Sequence, residues 1–147
     1  MKYSRALLLS AFLLLSFTPC FAHHMAVVVN KDNNTGELTA ANLARLFRLE
    51  TRKWADGKDV VIVLHKESGG EALTLERLSK ISSEQFKSFV SAHKDSFTLV
   101  DSDADVLRCV ESIPGAVGLV EVHSIDDHVN VLKVDGKLPM EAGYLPH

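Results

Sequence analysis

One short polar stretch of the chain has the residue types that bind a small anion. Ser68 offers a hydroxyl, and Gly69 and Gly70 allow close approach of the backbone because neither carries a Cβ. Lys66, and His65 when protonated, add positive charge beside them. A helix predicted to follow would present unpaired N–H groups and the positive end of its dipole. The candidate ligand residues for an oxyanion are therefore His65, Lys66, Ser68, Gly69 and Gly70.

Two acids in the same stretch oppose this interpretation. Glu67 and Glu71 would repel an anion, although acids in the first turn of a helix are also common for structural reasons. A Ser-Gly-Gly sequence before a helix is also ordinary turn chemistry. The alternative that the stretch is only a loop therefore stays open.

Motifs for other chemistry are weaker. The sequence contains no Gly-x-Ser-x-Gly elbow, no Gly-Lys-Ser phosphate loop and no zinc-hydrolase helix motif, which predicts a binding protein and not an enzyme. Asp101, Asp103 and Asp105 alternate as calcium ligands do, but the glycine and the distal glutamate of a calcium loop are missing. These acids are interpreted as turn and helix-cap residues, and no metal or other cofactor is predicted from them.

The N-terminus has the pattern of a secretory signal peptide. Lys2 and Arg5 precede the apolar run Ala6–Phe17, which is too short to span a bilayer, and small residues precede a cut after Ala22. We expect residues 1–22 to be removed on export to the periplasm. Such a cut would place His23-His24 beside a free α-amino group, nitrogen donors that suit copper. The alternative is a loose polar terminus.

The charge of the chain limits the class of partner that is expected, and its cysteine content bears on the interpretation of Cys109. The chain has 16 Lys and Arg against 19 Asp and Glu, and the predicted signal would take Lys2 and Arg5 with it. Nucleic acid requires clustered cations, so a nucleic-acid partner is not expected. Of the two cysteines, only Cys109 would remain, and it is interpreted as a small buried residue.

Apolar runs and helix patterns alternate along the rest of the chain. Strands are predicted at Met25–Asn30, Val60–Leu64, Phe97–Val100, Val117–Val122 and Val129–Val134, and helices after Thr39, over Ala72–Lys80, after Ser82 and from Ser102 to Glu111. This order predicts the α/β class, with about five mostly parallel strands and helices on both faces. In such sheets ligands lie beyond the carboxyl ends of strands, which selects the loop after Val60–Leu64.

Three stretches together resemble a known family. They are Val27–Lys31 with Leu38–Phe47 and Trp54, then Val61–Gly70, then Pro114–Val120. In this order and spacing they resemble one lobe of the phosphate-type substrate-binding proteins of ABC transporters, which have the type 2 periplasmic binding fold. The resemblance covers about residues 27–122 and implies that residues 23–137 form one lobe. Residues 138–147 show no periodicity and are predicted to form a loose C-terminal tail.

The resemblance also implies a function. It suggests binding of phosphate or a similar oxyanion, with a membrane permease or a receptor as partner. Ser68-Gly69 matches the family's loop, but Gly70 stands where a Thr is usual and His65 or Lys66 where an Arg is usual. The chain expected to remain after removal of residues 1–22 suffices for only one lobe of the family's two-lobed clamshell. The alternative is a periplasmic interaction or sensory accessory protein whose ligand site is vestigial.

Overall fold

A computed structural model describes residues 24–146, so the predicted signal segment and His23 lie outside the described residues. The strands are β1 Met25–Asn30, β2 Glu37–Leu38, β3 Val61–His65, β4 Phe97–Val100, β5 Ala116–Glu121, β6 Val129–Val131 and β7 Lys133–Val134. The helices are α1 Ala40–Phe47, α2 Gly69–Ser79, α3 Ser83–Ala92 and α4 Asp103–Ser112. None of the helices described here is long and apolar enough to cross a membrane.

The main sheet has five strands in the order β4-β3-β5-β1-β6. Strand β3 is parallel to both β4 and β5, whereas β1 is antiparallel to both β5 and β6. Within this sheet, every strand except β1 therefore runs in the same direction. The predicted α/β class with a mostly parallel sheet, a single lobe in architecture, is confirmed. Strands β2 and β7 form a small separate parallel pair.

Helices cover both faces of the sheet, as predicted. Val27 and Ile62 belong to the core under α1, α2 and α3, whereas Val28 and Val63 belong to the core under α4. Neighbouring residues of a strand point to opposite faces, so burial on both sides requires apolar side chains at every position. This explains the uninterrupted apolar runs in the sequence.

Hydroxyl caps begin the helices where the sequence places them. Thr39 accepts the N–H of Asn42 at α1, and Ser102 accepts the N–H of Asp105 at α4. Helix α2 begins at Gly69, three residues before the predicted start at Ala72, because Ser68 is its N-cap.

The predicted last strand, Val129–Val134, is divided in two. Leu132 leaves the ladder of β6, and the chain continues as β7 beside β2. The Leu132 N–H still donates to the Val27 carbonyl at 2.9 Å. The prediction of one strand was wrong because a pattern of alternating side chains does not show that a strand changes partner.

The prediction of a loose C-terminal tail is wrong at Tyr144 and Leu145. Residues 138–146 contain no helix or strand, but these two side chains are buried in the core under α1–α3. The Tyr144 hydroxyl donates to the Leu132 carbonyl at 2.6 Å and accepts the Val27 N–H at 3.1 Å. Burial raises the pKa of Tyr144 to about 12. The hydroxyl thus completes the sheet where β6 ends.

We expect Y144F to lower the free energy of unfolding by about 2 kcal/mol, because it leaves a buried N–H and a buried carbonyl unpaired. Urea unfolding measures the loss, and L138A, at an exposed position of the same segment, should change stability by less than about 0.5 kcal/mol. The tyrosine ionises more easily in the unfolded chain, so the advantage of Tyr144 over Phe should shrink as pH rises above about 10. Equal stability of Y144F and the parent chain would contradict this role.

Candidate functional site

The carboxyl ends of the parallel strands β3, β4 and β5 meet at one edge of the sheet. Helix α2 begins four residues after β3 ends at His65, and α4 begins three residues after β4 ends at Val100. Two helix N-termini therefore lie at the edge that the sequence selected. The Lys66 N–H donates to the Val100 carbonyl at 2.8 Å and holds the two loops together.

The first turn of α2 presents hydrogen-bond donors. The Ser68 hydroxyl accepts the N–H of Glu71 at 3.2 Å, and its own proton remains available for donation. Within residues 24–146 the N–H groups of Gly69 and Gly70 donate to no acceptor. Gly69 is exposed, and a Cβ built on it would meet no atom within 4 Å. Gly70 is buried, where an unpaired N–H is unfavourable unless it meets an acceptor.

Lys66 has a partner that it can exchange easily. Its Nζ lies 3.2 Å from Asp101 Oδ1, and the two side chains are 50% and 81% exposed. Exposed pairs of this kind contribute about 0–1 kcal/mol. Lys66 can therefore turn from Asp101 to an anion at little cost.

His65 is held in one orientation by Asp103. The imidazole Nδ1 lies 2.9 Å from Asp103 Oδ1, which leaves Nε2 as the ring nitrogen for a ligand. Asp103 Oδ2 accepts from the Glu121 N–H at 3.0 Å and from the Ser124 hydroxyl at 2.9 Å. One carboxylate thus joins the end of β3, the start of α4 and the turn after β5.

Glu71 lies behind the loop and not across its opening. It is 3% exposed, and its Oε2 accepts the His65 N–H at 2.8 Å. Burial raises the pKa of Glu71 well above the usual range of a carboxyl; the His65 N–H opposes this rise, and the charge of Asp103 adds to it. The neutral form, which burial favours, adds no charge at the helix terminus. The carboxyl accepts from the His65 N–H and not from the glycine amides, so within residues 24–146 this acid does not cap them.

The edge also carries an excess of acids. Asp101 and Asp103 lie there with Glu67, which is exposed and takes a left-handed backbone conformation, φ 64°. The positive groups are Lys66 and, when protonated, His65. An anion at α2 would therefore need local donors that outweigh an unfavourable general field.

Two residues at this edge have roles that the sequence did not predict. Asp103 was interpreted as a turn or helix-cap acid, and Glu71 as a first-turn acid whose charge would oppose an anion. The spacing Ser68-x-x-Glu71 is a capping-box signature and could have marked Glu71 as a residue that turns back over the helix start. Asp103 begins a helix after a parallel strand, so the same edge rule that selected the Ser68 loop applies to it.

The other candidate sites in the described part of the chain lie away from this edge or lack the ligands for a metal ion. Residues 24–146 contain no group of three or more His, Cys, Asp or Glu side chains placed to hold a metal ion. Clefts of about 280 Å³ beside Arg52 and Asp95 and about 250 Å³ beside Trp54 lie near the other end of the strands. Neither cleft is lined by a residue of the Ser68 loop.

Comparison with known proteins confirms the resemblance at the level of the fold. The chain is similar in fold to part of an ABC-type phosphate transport receptor from Vibrio cholerae, with 19% identity, a TM-score of 0.65, and coverage of 79% of this chain and 48% of that one. A putative phosphate ABC transporter substrate-binding protein from Clostridium perfringens, described with bound phosphate, has 20% identity, a TM-score of 0.64 and coverage of 77% and 45%. A phosphate-binding protein from Stenotrophomonas maltophilia has 20% identity, a TM-score of 0.64 and coverage of 80% and 40%.

This chain thus spans less than half the length of each of these structures. No protein-family model matches it, and no curated protein matches its sequence. All three structures are described as phosphate-binding or phosphate transport proteins, and the part that they share with this chain is one α/β lobe.

Proposed function

We propose that this protein is a periplasmic solute-binding protein, and not an enzyme, that binds phosphate or a similar oxyanion at the N-terminus of α2. One observation carries the proposal: the N–H groups of Gly69 and Gly70 have no acceptor within residues 24–146, beside a serine hydroxyl and a lysine. The phosphate-binding proteins that share the fold support the ligand class. A membrane permease or a receptor would be the partner.

The geometry suggests how the anion is held. Two backbone amides and the Ser68 hydroxyl donate to its oxygens, and the helix dipole favours its negative charge. Lys66 Nζ exchanges Asp101 for the ligand. His65, oriented by Asp103, adds a donor through Nε2 when that nitrogen is protonated.

A site on one lobe should bind weakly. The oxyanion keeps part of its hydration shell, and its charge interactions are exposed to screening by salt. We therefore expect a dissociation constant in the millimolar range that rises with ionic strength.

We expect S68A to weaken phosphate binding about fivefold, because it removes one hydrogen-bond donor. Calorimetric titration of the full chain with phosphate, sulfate and molybdate measures this. The matched control is S82A, which removes the N-cap of α3: Ser82 and Gln85 form a capping box there. Each substitution should cost about 1 kcal/mol of stability, but only S68A should change binding.

The absence of heat with all three anions at millimolar concentration would overturn the proposed ligand class. Equal loss of binding in S68A and S82A would show that Ser68 acts only as a helix cap.

The excess of acids at the same edge favours a second candidate, a periplasmic interaction or sensory accessory protein with a vestigial ligand site. Two results together would support this candidate: no heat on titration with the three anions, and a membrane protein crosslinked to a probe at the exposed position 69.

A further inference from the structure

Glu71 is a buried carboxyl at the helix end that carries the proposed ligand. It is 3% exposed and follows Gly69 and Gly70 directly in the first turn of α2. Its Oε2 accepts the His65 N–H, whereas its Oε1 is buried and has no hydrogen-bond partner within residues 24–146. The Glu71 carboxyl thus lies at the positive end of the α2 dipole, which favours an anion, and one of its two oxygens has no hydrogen bond within the described residues.

The next helix of the same chain shows that a helix cap does not need such a group. Gln85 holds the equivalent position in α3, where its side chain accepts the N–H of the N-cap Ser82 at 2.9 Å. This capping box is neutral and exposed. At α2 the Glu71 side chain extends past the N-cap Ser68 and bonds the His65 N–H at the end of β3, and its carboxyl can ionise. A glutamine would make the same bond to His65 without a titratable group.

We propose that Glu71 couples oxyanion binding at α2 to the binding of a proton. The neutral carboxyl leaves the helix terminus to the ligand, and the ionised carboxyl competes with the ligand for it. The two negative charges would lie within one helical turn, partly shielded from water, where their repulsion is strong. This inference rests on the proposed function.

The groups around Glu71 favour its neutral form. Asp103 faces it from α4 with a negative charge, whereas the His65 N–H from β3 and the positive end of the α2 dipole favour the ionised form. Strand β1 carries no ionisable side chain, and the buried residues of α1 and α3 are apolar. At the end of β5, Glu121 is a further acid. A bound anion adds one more negative charge, so it should draw a proton onto Glu71.

Phosphate titrations of the full chain, E71Q and E67Q between pH 5.5 and 8.5 test the coupling. At each pH the dissociation constant of the parent chain is divided by that of the variant. The effect of phosphate's own ionisation, which is common to both proteins, then cancels. We expect the affinity of the parent chain to fall relative to E71Q as pH rises, by at least about fivefold across the range. E67Q removes a neighbouring exposed acid, and its ratio to the parent chain should stay constant.

A second measurement counts the protons taken up on binding by the parent chain and by E71Q. Titration in buffers of different ionisation enthalpy counts protons, and the parent chain should take up more protons on binding phosphate than E71Q does. A constant ratio between E71Q and the parent chain, with equal proton uptake, would overturn the coupling and leave the binding site standing. The absence of phosphate binding in all three proteins would overturn the proposed function and this inference with it.

Discussion

Replacement of Asp103 by alanine should lower the free energy of unfolding by about 3 kcal/mol. The carboxylate accepts from the His65 ring, from the Glu121 N–H and from the Ser124 hydroxyl, and its side chain is 16% exposed. Each half-buried donor that loses its acceptor costs about 1 kcal/mol or more. Urea unfolding monitored by the fluorescence of Trp54 measures the loss.

Asp105 is the matched control for Asp103. It lies in the same first turn of α4 and carries the same charge, but its carboxylate pairs with the exposed Arg108. D105A should therefore cost less than about 1 kcal/mol. Similar losses for D103A and D105A would mean that Asp103 acts only through the helix dipole and does not join the three elements. The loss in free energy of unfolding for D103N should lie between those of D105A and D103A, since the single amide oxygen can accept from only some of the three donors.

Gly115 is expected to tolerate no side chain at all. A Cβ at this position would lie 1.8 Å from the backbone oxygen of Asp59 and 3.0 Å from its carbonyl carbon. The Gly115 carbonyl also accepts from Trp54 Nε1 at 2.9 Å and from the Val61 N–H at 3.0 Å. The backbone must shift to admit a methyl group, and both hydrogen bonds would then be strained.

We therefore expect G115A to cost about 3 kcal/mol, at the upper end of the usual range for overpacking. Trp54 is the only tryptophan and is 6% exposed, so its emission should move to longer wavelength if the contact opens. G36A is the control, because a Cβ there would meet no atom within 4 Å and its backbone is not left-handed. Unfolding midpoints that agree for G115A and G36A would contradict the close approach.

The sequence was informative wherever local physics decides the outcome. The strand at Met25–Asn30 was predicted to the residue, because burial on both faces leaves an uninterrupted apolar run. The helix start after Ser82 was also predicted correctly, since the capping box that Ser82 forms with Gln85 depends on two residues three positions apart. The α/β class followed from the alternation of such elements, and the single lobe was an expectation from the family resemblance.

Elsewhere the local pattern allowed more than one outcome. Glycines permit a turn, a cap or a helix start, so the prediction began α2 at Ala72 and not at Gly69. Alternation over Val129–Val134 fits one strand or two, and the pairing of Lys133–Val134 with β2 decides for two. The edge that carries the candidate site was predicted from topology, and His65, Lys66, Ser68, Gly69 and Gly70 stay predicted ligands.

By itself, the sequence determined the class of fold, most helix starts and the loop from which an anion site would be built. Each of these depends on residues that are neighbours along the chain or share one element. Only the tertiary structure decided that Asp103 orients His65, that Tyr144 completes the sheet at Val27 and that Glu71 is buried beneath the loop. The first two contacts join residues 38 and 117 positions apart, and the environment of a carboxyl depends on what packs around it. No periodicity in a single segment records such neighbours, because the packing of separate elements creates them.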